Sequence, residues 1–376
     1  MTTTINNEHK KLNVPNLRFP EFQGEWEKCT LEDVMKFSTT RVSSSELNED
    51  NYVSTENMLQ DFQGIVEAKT VPEDVNVISF SCGDILISNI RPYLKKVWKA
   101  TFNGGCSSDV FVLQANGNIV SDYLHYVVAN DKFINFVMSG AKGVKMPRGD
   151  KNQMKTYSLS LPQIQEQHKI AKLLSLLDER IVTQNKIIDK LQSLIKGIAQ
   201  HCIRELINGC DYVRLGDICK ITTGKLDANA QVENGQYPFF TCAELPFYID
   251  SYAFDTEALL ISGNGANLGY INYYKGKFNA YQRTYVLDHF SENVQYVKWA
   301  LKILLPKRIA IEKSSSNTPY IVLSTLVDLK LPIPSKSKQS HISDLMLSFE
   351  RKLSNQLALS DLYSKQKQYL LRQMFI

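Results

Sequence analysis

The chain lacks the features that mark a membrane protein, a disulfide-rich secreted protein or a zinc ribbon. Among its 376 residues no apolar run reaches the roughly eighteen residues of a membrane-spanning helix. The start, MTTTINNEHKKLNVPNLRFPEF, has no apolar segment followed by a small-residue cleavage site. The seven cysteines include no C-x-x-C pair. We therefore expect reduced thiols, no metal site, no membrane partner and a cytoplasmic location.

The net charge is also small. The formal net charge is +4, which is far weaker than that of a dedicated nucleic-acid coat. Lys and Arg concentrate in two stretches with Gly or Pro, RPYLKK at 91–96 and KGVKMPRGDK at 142–151. Taken alone, each stretch is most simply interpreted as a solvated loop.

Two short motifs suggest a cofactor. LLISGNGANLGYI at 259–271 has glycines spaced as in loops that bind a phosphate or S-adenosylmethionine, and NTPY at 317–320 differs by one residue from the N-P-P-Y tetrapeptide of adenine methyltransferases. Because an internal repeat would reassign both motifs, it has to be considered before them.

The chain does contain such a repeat. CTLEDVMKFSTTR at 29–41 matches VRLGDICKITTGK at 213–225, and DILISNIRPYLKKVWKATF at 84–102 matches ALLISGNGANLGYINYYKGKF at 258–278. The first copy has no glycine in the aligned loop and has VKMPRGD where the second has NTPY. A phosphate-binding loop needs its glycines and a following helix N-terminus, whereas both copies continue as strands. We therefore predict a hairpin loop between two strands at 263–269.

Each copy consists of a globular part and a long helix. Short apolar runs broken by Gly, Asn, Asp and Pro are typical of β-rich domains, and apolar residues three and four apart predict a helix within each domain. We predict an α+β fold with two β-rich globular domains in tandem, each followed by a long α-helix. The predicted segments are a flexible N-terminus at 1–14, domains at 15–162 and 209–334, and helices at 163–208 and 335–376.

The two long helices carry matching apolar stripes, which predict a coiled-coil seam. The seam residues are Ile170, Leu173, Leu177, Ile181, Ile188, Leu191, Ile195 and Ile198, then Ile342, Leu345, Phe349, Leu353, Leu370 and Met374. At 1.5 Å per residue, about forty residues form a rod of roughly 60 Å. We predict that the helices pair as an antiparallel coiled coil with pseudo-two-fold symmetry and hold the domains at opposite ends.

The order of these segments resembles the specificity (S) subunit of a type I restriction-modification enzyme, over essentially the whole chain. The resemblance lies in LRFPEFQGEWEKCTLEDV, in LSLPQIQEQHKIAKLLSLLDERI with its helix, in VRLGDICKITTGK and in the closing KQYLLRQMF. One departure is the opening of the second helix, LPIPSKSKQSHI, which lacks the L-P-x-x-x-E-Q pattern of the first.

The resemblance implies two target recognition domains, each reading one half of an asymmetric bipartite site in double-stranded DNA, with spacer helices that set the gap. It implies two methyltransferase (M) subunits and restriction (R) subunits as partners. S-adenosylmethionine, ATP and Mg would belong to those partners, so the chain itself is expected to be non-catalytic and to bind no cofactor. On the residues alone, two alternatives stay open: a stand-alone adenine methyltransferase and a coiled-coil adaptor that does not bind DNA.

DNA recognition requires cations that neutralise phosphates and side chains that reach base edges, with Arg suited to guanine and Asn or Gln to adenine. We predict these contacts on loops at matched positions of the two copies. The candidates are Arg91, Lys95, Lys96, Lys142, Lys145 and Arg148 in the first domain, and Asn264, Asn267, Lys275, Lys277, Gln282, Arg283, Thr318 and Tyr320 in the second. The sequence predicts no catalytic or metal-ligating residue.

Overall fold

The structure is a computed structural model that describes residues 12–143, 145–206, 209–312 and 320–376. The chain divides into two compact units: unit 1 contains residues up to Thr183 together with Ser360–Ile376, and unit 2 is Gln184–Leu359. The two long helices, Ile164–Glu205 and Lys336–Met374, each contribute residues to both units. Of the N-terminus predicted to be flexible, residues 1–11 lie outside the described part of the chain.

Unit 1 is a mixed β-rich unit. Its strands are β1 Glu27–Thr30, β2 Met35–Phe37, β3 Arg41–Ser43, β4 Tyr52–Val53, β5 Asn76–Phe80, β6 Ile85–Ser88, β7 Val97–Lys99, β8 Gly104–Cys106, β9 Val110–Ala115 and β10 Ser158–Leu161. Its helices are α1 Leu31–Val34, α2 Ser121–Val128, α3 Asp131–Ser139, α4 Lys151–Lys155, the first half of α5 Ile164–Glu205 and the end of the second long helix from Ser360. The strand orders are β1-β10, β2-β9-β6-β7 and β3-β5-β8-β4, with β4 parallel to β8.

Strand β6 is buried on both faces, which explains why its first three residues, Ile-Leu-Ile, are all apolar. Side chains alternate between the faces of a strand. Ile85 and Ile87 therefore pack in one core with Phe133 of α3, while Leu86 packs in a second core with Trp98. The loop that follows β6 is consequently fixed by two cores at its base.

Unit 2 is also β-rich, but it has one six-stranded sheet where unit 1 has two four-stranded sheets. Its strands are β11 Asp211–Arg214, β12 Lys220–Thr223, β13 Tyr237–Phe240, β14 Phe247–Ile249, β15 Phe254–Ser262, β16 Ile271–Ala280, β17 Thr284–Asp288 and β18 Lys330–Ile333. Its helices are the second half of α5 from Gln184, then α6 Leu215–Ile218, α7 Val294–Glu312, α8 Leu323–Val327 and the first part of α9 Lys336–Met374. β11 pairs with β18, and the other strands form one sheet in the order β12-β17-β15-β16-β13-β14.

The same alternation places β15 between two cores. Leu259 and Ile261 pack with Tyr296 of α7, whereas Leu260 packs with Phe278. Both units thus combine sheets with packed helices, and the predicted α+β fold class is confirmed.

A buried glutamine fixes the start of each long helix to its unit. In unit 1 the Gln167 amide donates to Pro162 O at 2.9 Å and accepts from Val120 N at 2.8 Å. In unit 2 the Gln339 amide donates to Pro334 O at 2.9 Å and accepts from Asn293 N at 3.0 Å. The departure noted at the opening of the second helix therefore leaves this contact unchanged.

The long helices pair antiparallel in each unit. In unit 1, Lys367 of α9 forms an ion pair with Asp178 of α5, and Arg180 lies 5.6 Å from the ring of Tyr363. In unit 2, Gln184 Nε2 donates to Gln356 Oε1 at 2.8 Å, across a sequence separation of 172. These two glutamines are equivalent in the repeat, as expected where two copies of one helix cross antiparallel.

The predicted seam positions differ in burial. Most of its residues are buried or half-buried, but Leu345 is 43% exposed, and its neighbour Met346 is fully buried. The first turns of α9 pack on the core of unit 2 through Gln339, Ile342, Ser343 and Met346. This wide face follows the 3.6-residue period of a packed helix and not the narrower coiled-coil seam that the prediction assumed.

Candidate nucleic-acid interface

The two basic loops predicted in unit 1 lie side by side. The loop between β6 and β7, residues 89–96, is joined to the second basic stretch by two backbone hydrogen bonds. Arg91 N donates to Pro147 O at 2.7 Å, and Gly149 N donates to Asn89 O at 2.8 Å. The structure therefore brings together two stretches that are some fifty residues apart in sequence.

The second loop is closed on itself and carries exposed cations. Lys142 and Arg148 exchange backbone hydrogen bonds of 3.1 and 2.9 Å. Arg148 Nη1 lies 2.9 Å from Asp109 Oδ1, and Lys142 Nζ lies 3.3 Å from Asp150 Oδ2. Lys145 at the tip of the loop is exposed. All three predicted cations of this loop are therefore open to solvent, and two of them are also oriented by a carboxylate.

The remaining lysines of the first loop are engaged with the protein. Lys95 Nζ lies 2.7 Å from Asp131 Oδ1. Lys96 Nζ donates to Thr55 O at 2.6 Å, and burial lowers the pKa of Lys96, with a smaller contribution from Arg91. Lys96 thus stabilises the loop through its hydrogen bond to Thr55. Arg91 is the candidate of this loop that is exposed.

Backbone strain concentrates at the same place. Asp61, Phe62, Arg91 and Lys95 all have positive φ, between 49° and 61°, a region that side chains other than glycine rarely adopt. Asp61 N donates to Leu94 O at 3.1 Å, and Phe62 N donates to Lys95 O at 2.9 Å. Such strain persists where the surrounding structure fixes it, and it is common at binding sites.

Unit 2 has a loop held by the same backbone bonds. Gly263 N donates to Arg283 O at 2.8 Å, and Ile321 N donates to Gly263 O at 2.8 Å. Asn89 makes the equivalent two bonds in unit 1, with Asp109 O at 2.9 Å and with Gly149 N at 2.8 Å. We call this arrangement the junction of each unit. It consists of residues 89–96, 109 and 147–149 in unit 1, and of residues 263–269, 283 and 320–321 in unit 2.

The two asparagines predicted in unit 2, Asn264 and Asn267, form hydrogen bonds inside the junction. Asn267 Nδ2 donates to Cys242 O at 3.0 Å, and the Cys242 thiol donates to Asn264 Oδ1 at 3.0 Å. Asn264 also forms a β-bridge with Tyr320. Gln282, Arg283 and Tyr320 are the exposed candidates around this core, and Thr318 lies outside the described residues.

The glycines of this loop serve its backbone. The loop joins two antiparallel strands, β15 and β16, so the predicted hairpin is confirmed and the segment after it is a strand. Gly265 and Gly269 have φ of +79° and +80°, and a Cβ on Gly263 would lie 2.5 Å from Arg283 O. The glycine spacing therefore gives no support to a methyltransferase cofactor site. In the NTPY motif, residues 317–319 lie outside the described part of the chain.

Two candidates were placed wrongly. Lys275 and Lys277 lie within β16 and not on a loop. Lys275 Nζ is 3.8 Å from Glu257 Oε2 on β15, and Lys277 Nζ is 4.6 Å from the ring of Tyr252. The sequence KGK resembles a turn, but strand β16 continues through Gly276 because its pairing with β15 runs from Ile271 to Phe278.

Sequence reasoning missed a further segment of each junction. Thr55 and Cys242 each follow a strand that is paired in parallel, β4 or β13. Each offers its carbonyl oxygen to the junction loop, to Lys96 Nζ in unit 1 and to Asn267 Nδ2 in unit 2. A contact through a backbone carbonyl leaves no mark on residue type, so neither charge nor motif could reveal it.

Comparison with known proteins identifies the family. The profile of the type I restriction modification DNA specificity domain matches residues 23–193 and again residues 208–359. The chain belongs to this family. Each of the two specificity domains contains one complete junction.

Individual relatives agree with this assignment. The type I restriction enzyme EcoDI specificity subunit of Escherichia coli is 46% identical over 132 residues, which are 35% of this chain and 29% of that protein. The type I restriction enzyme MjaVIII specificity subunit of Methanocaldococcus jannaschii is 25% identical over 382 residues, 89% of this chain and 87% of that protein. The crystal structure of the type I restriction-modification system S subunit from M. genitalium has the same fold, with a TM-score of 0.67 at 18% identity over 96% of this chain and 99% of that one.

The specificity domains offer hydrogen-bond donors on a rigid support. In the described part of the chain, no group of three His, Cys, Asp or Glu side chains could hold a metal ion, and no helix has the length and apolar character needed to cross a membrane. The junctions instead present guanidinium, ammonium, amide and phenol groups on loops fixed by backbone bonds. Such an arrangement suits recognition of phosphates and base edges.

Proposed function

We propose that the chain is the DNA-specificity subunit of a type I restriction-modification complex, in which each specificity domain reads one half of an asymmetric bipartite site. The observation that carries this proposal is the junction, which uses the same backbone bonds in both units but presents different side chains. A constant support with different reading groups is what two half-sites of different sequence require.

In this proposal the chain supplies recognition, and its partners supply the chemistry. Two methyltransferase subunits would supply S-adenosylmethionine and methylate adenine, and restriction subunits would supply ATP-driven, Mg-dependent cleavage in the cytoplasm. Within unit 2 we place a methyltransferase subunit on α5, because Ile187 and Leu194 are exposed apolar residues on one face of that helix.

The experiment that tests the proposal is a methylome. The chain is expressed with an M subunit of the same system in a host that lacks adenine methylation, and modified adenines are read by long-read sequencing. The expected result is one motif of two short blocks around a fixed gap, methylated on both strands.

The control is the same M subunit with another S subunit, which must produce its own motif. If that control works and the present chain gives no motif, the proposal is wrong and a coiled-coil adaptor without DNA recognition becomes the better interpretation. If the purified chain binds S-adenosylmethionine stoichiometrically in calorimetry, the stand-alone methyltransferase is favoured instead.

A further inference from the structure

The junctions of the two units differ at two equivalent positions. The first is the residue whose carbonyl accepts from the loop, Asp109 in unit 1 and Arg283 in unit 2. The second is the residue that forms a β-bridge with the loop, Arg148 to Ile90 in unit 1 and Tyr320 to Asn264 in unit 2. The same backbone therefore supports an ion pair in one unit and an arginine with a tyrosine in the other.

Arg148 is held in a way that suits recognition more than stability. Its backbone is bonded to Lys142 in both directions. The Arg148 side chain is 54% exposed and that of its partner Asp109 is 32% exposed, and exposed ion pairs contribute little to stability. What the pair does is fix the direction of the guanidinium. With Nη1 on Asp109, Nε and Nη2 remain available in the planar fork that matches guanine O6 and N7.

In unit 2 the arginine occupies the other position. Arg283 is exposed, and its backbone is fixed because its carbonyl accepts from Gly263 N at 2.8 Å. Tyr320 beside it is 59% exposed. The guanidinium of Arg283 is therefore presented from the same support, without a carboxylate at the equivalent position to orient it.

We propose that Arg148 and Arg283 are specificity-determining residues that each read a guanine, one in each half-site, and that Asp109 is a positioning residue for Arg148. This inference rests on the proposed function and assigns the reading groups within it. Because Arg148 is oriented by Asp109, its discrimination against other bases is the stronger of the two.

The test uses the complex with its M subunit and the methylome of each variant. Arg148→Gln relaxes one G·C position in one half of the motif, with a loss of about 10- to 100-fold in preference at that position. Arg283→Gln relaxes a G·C position in the other half. Each half that is left unchanged serves as the control for folding and assembly within the same molecule.

Asp109→Asn tests the positioning role. It relaxes the same position as Arg148→Gln, and it adds nothing when combined with Arg148→Gln, because an absent guanidinium needs no orientation. The matched control is Glu32→Gln, which removes the exposed carboxylate that lies 2.8 Å from Lys155 Nζ in the same unit and makes the same change in net charge. This control leaves the motif unchanged.

Several results would overturn the inference. They are an unchanged motif in Arg148→Gln, relaxation of the same half by Arg148→Gln and Arg283→Gln, or additive effects of Asp109→Asn and Arg148→Gln. If Arg148→Gln abolishes methylation, Arg148→Lys decides: a relaxed motif supports base reading, whereas the original motif at a lower rate means a phosphate contact and overturns it. The proposed function fails separately, when the unaltered chain itself gives no bipartite motif.

Discussion

At the scale of single residues, the buried glutamines are the clearest structural determinants. Gln339 is fully buried, and besides Pro334 and Asn293 it contacts Glu292, whose Oε2 accepts from Gln339 Nε2 at 2.6 Å. One amide thus fixes the start of α9 by hydrogen bonds to the segment before α7 and to Pro334, two residues before the helix. An alanine would leave these groups without their partner.

We therefore expect Gln339→Ala to lower the free energy of unfolding of unit 2 by about 2–4 kcal/mol, since each buried group left unsatisfied costs about 1–3 kcal/mol. The measurement is denaturant unfolding followed by the fluorescence of Trp299, the tryptophan of unit 2. Asn355→Ala removes an exposed side-chain amide from the same helix within unit 2. It is the control and should change stability by less than about 0.5 kcal/mol. Equal effects of the two changes would contradict this role.

At the scale of elements, regular patterns in the sequence were enough to predict the long helices and the hairpin. Apolar stripes predicted the two long helices, and comparison of the two copies of the repeat predicted the hairpin around Gly263. The wrong assignments have one cause. Leu345, Lys275 and Lys277 were placed by the local sequence pattern, whereas tertiary packing determines the burial of Leu345 and the strand position of the two lysines. The carbonyl contacts of Thr55 and Cys242 could not be predicted, because any residue can make them.

The correction at Leu345 gives a prediction that compares adjacent residues. Met346→Ala removes a fully buried side chain of the unit 2 core and should cost about 2–5 kcal/mol of unfolding free energy. Leu345→Ala, at a position 43% exposed, should cost less than about 0.5 kcal/mol. Denaturant unfolding of the two variants distinguishes the packed-helix face from the predicted seam, because the seam requires the opposite order.

At the scale of the whole molecule, the chain carries two specificity domains with one junction each. The two junction arginines, Arg148 and Arg283, lie in different compact units, and they share no hydrogen-bond or ion-pair partner among the contacts of the described residues. Residues without shared partners usually contribute independently to a free energy. The proposed function therefore implies that each half-site makes its own, additive contribution to the free energy of DNA binding.

This independence can be measured with the double variant Arg148→Gln/Arg283→Gln. Each single change should weaken binding of the complex with its M subunit to its bipartite site by about 1–3 kcal/mol, and the double change should equal their sum within about 0.5 kcal/mol. Lys145→Gln, which removes an exposed cation suited to a phosphate, should instead weaken binding to all sequences and reduce the salt dependence by about one unit of slope. Titrations at several salt concentrations give both quantities. A coupling above about 1 kcal/mol between the two arginines would mean that the units do not read DNA independently, since one reading group would then depend on the other being engaged.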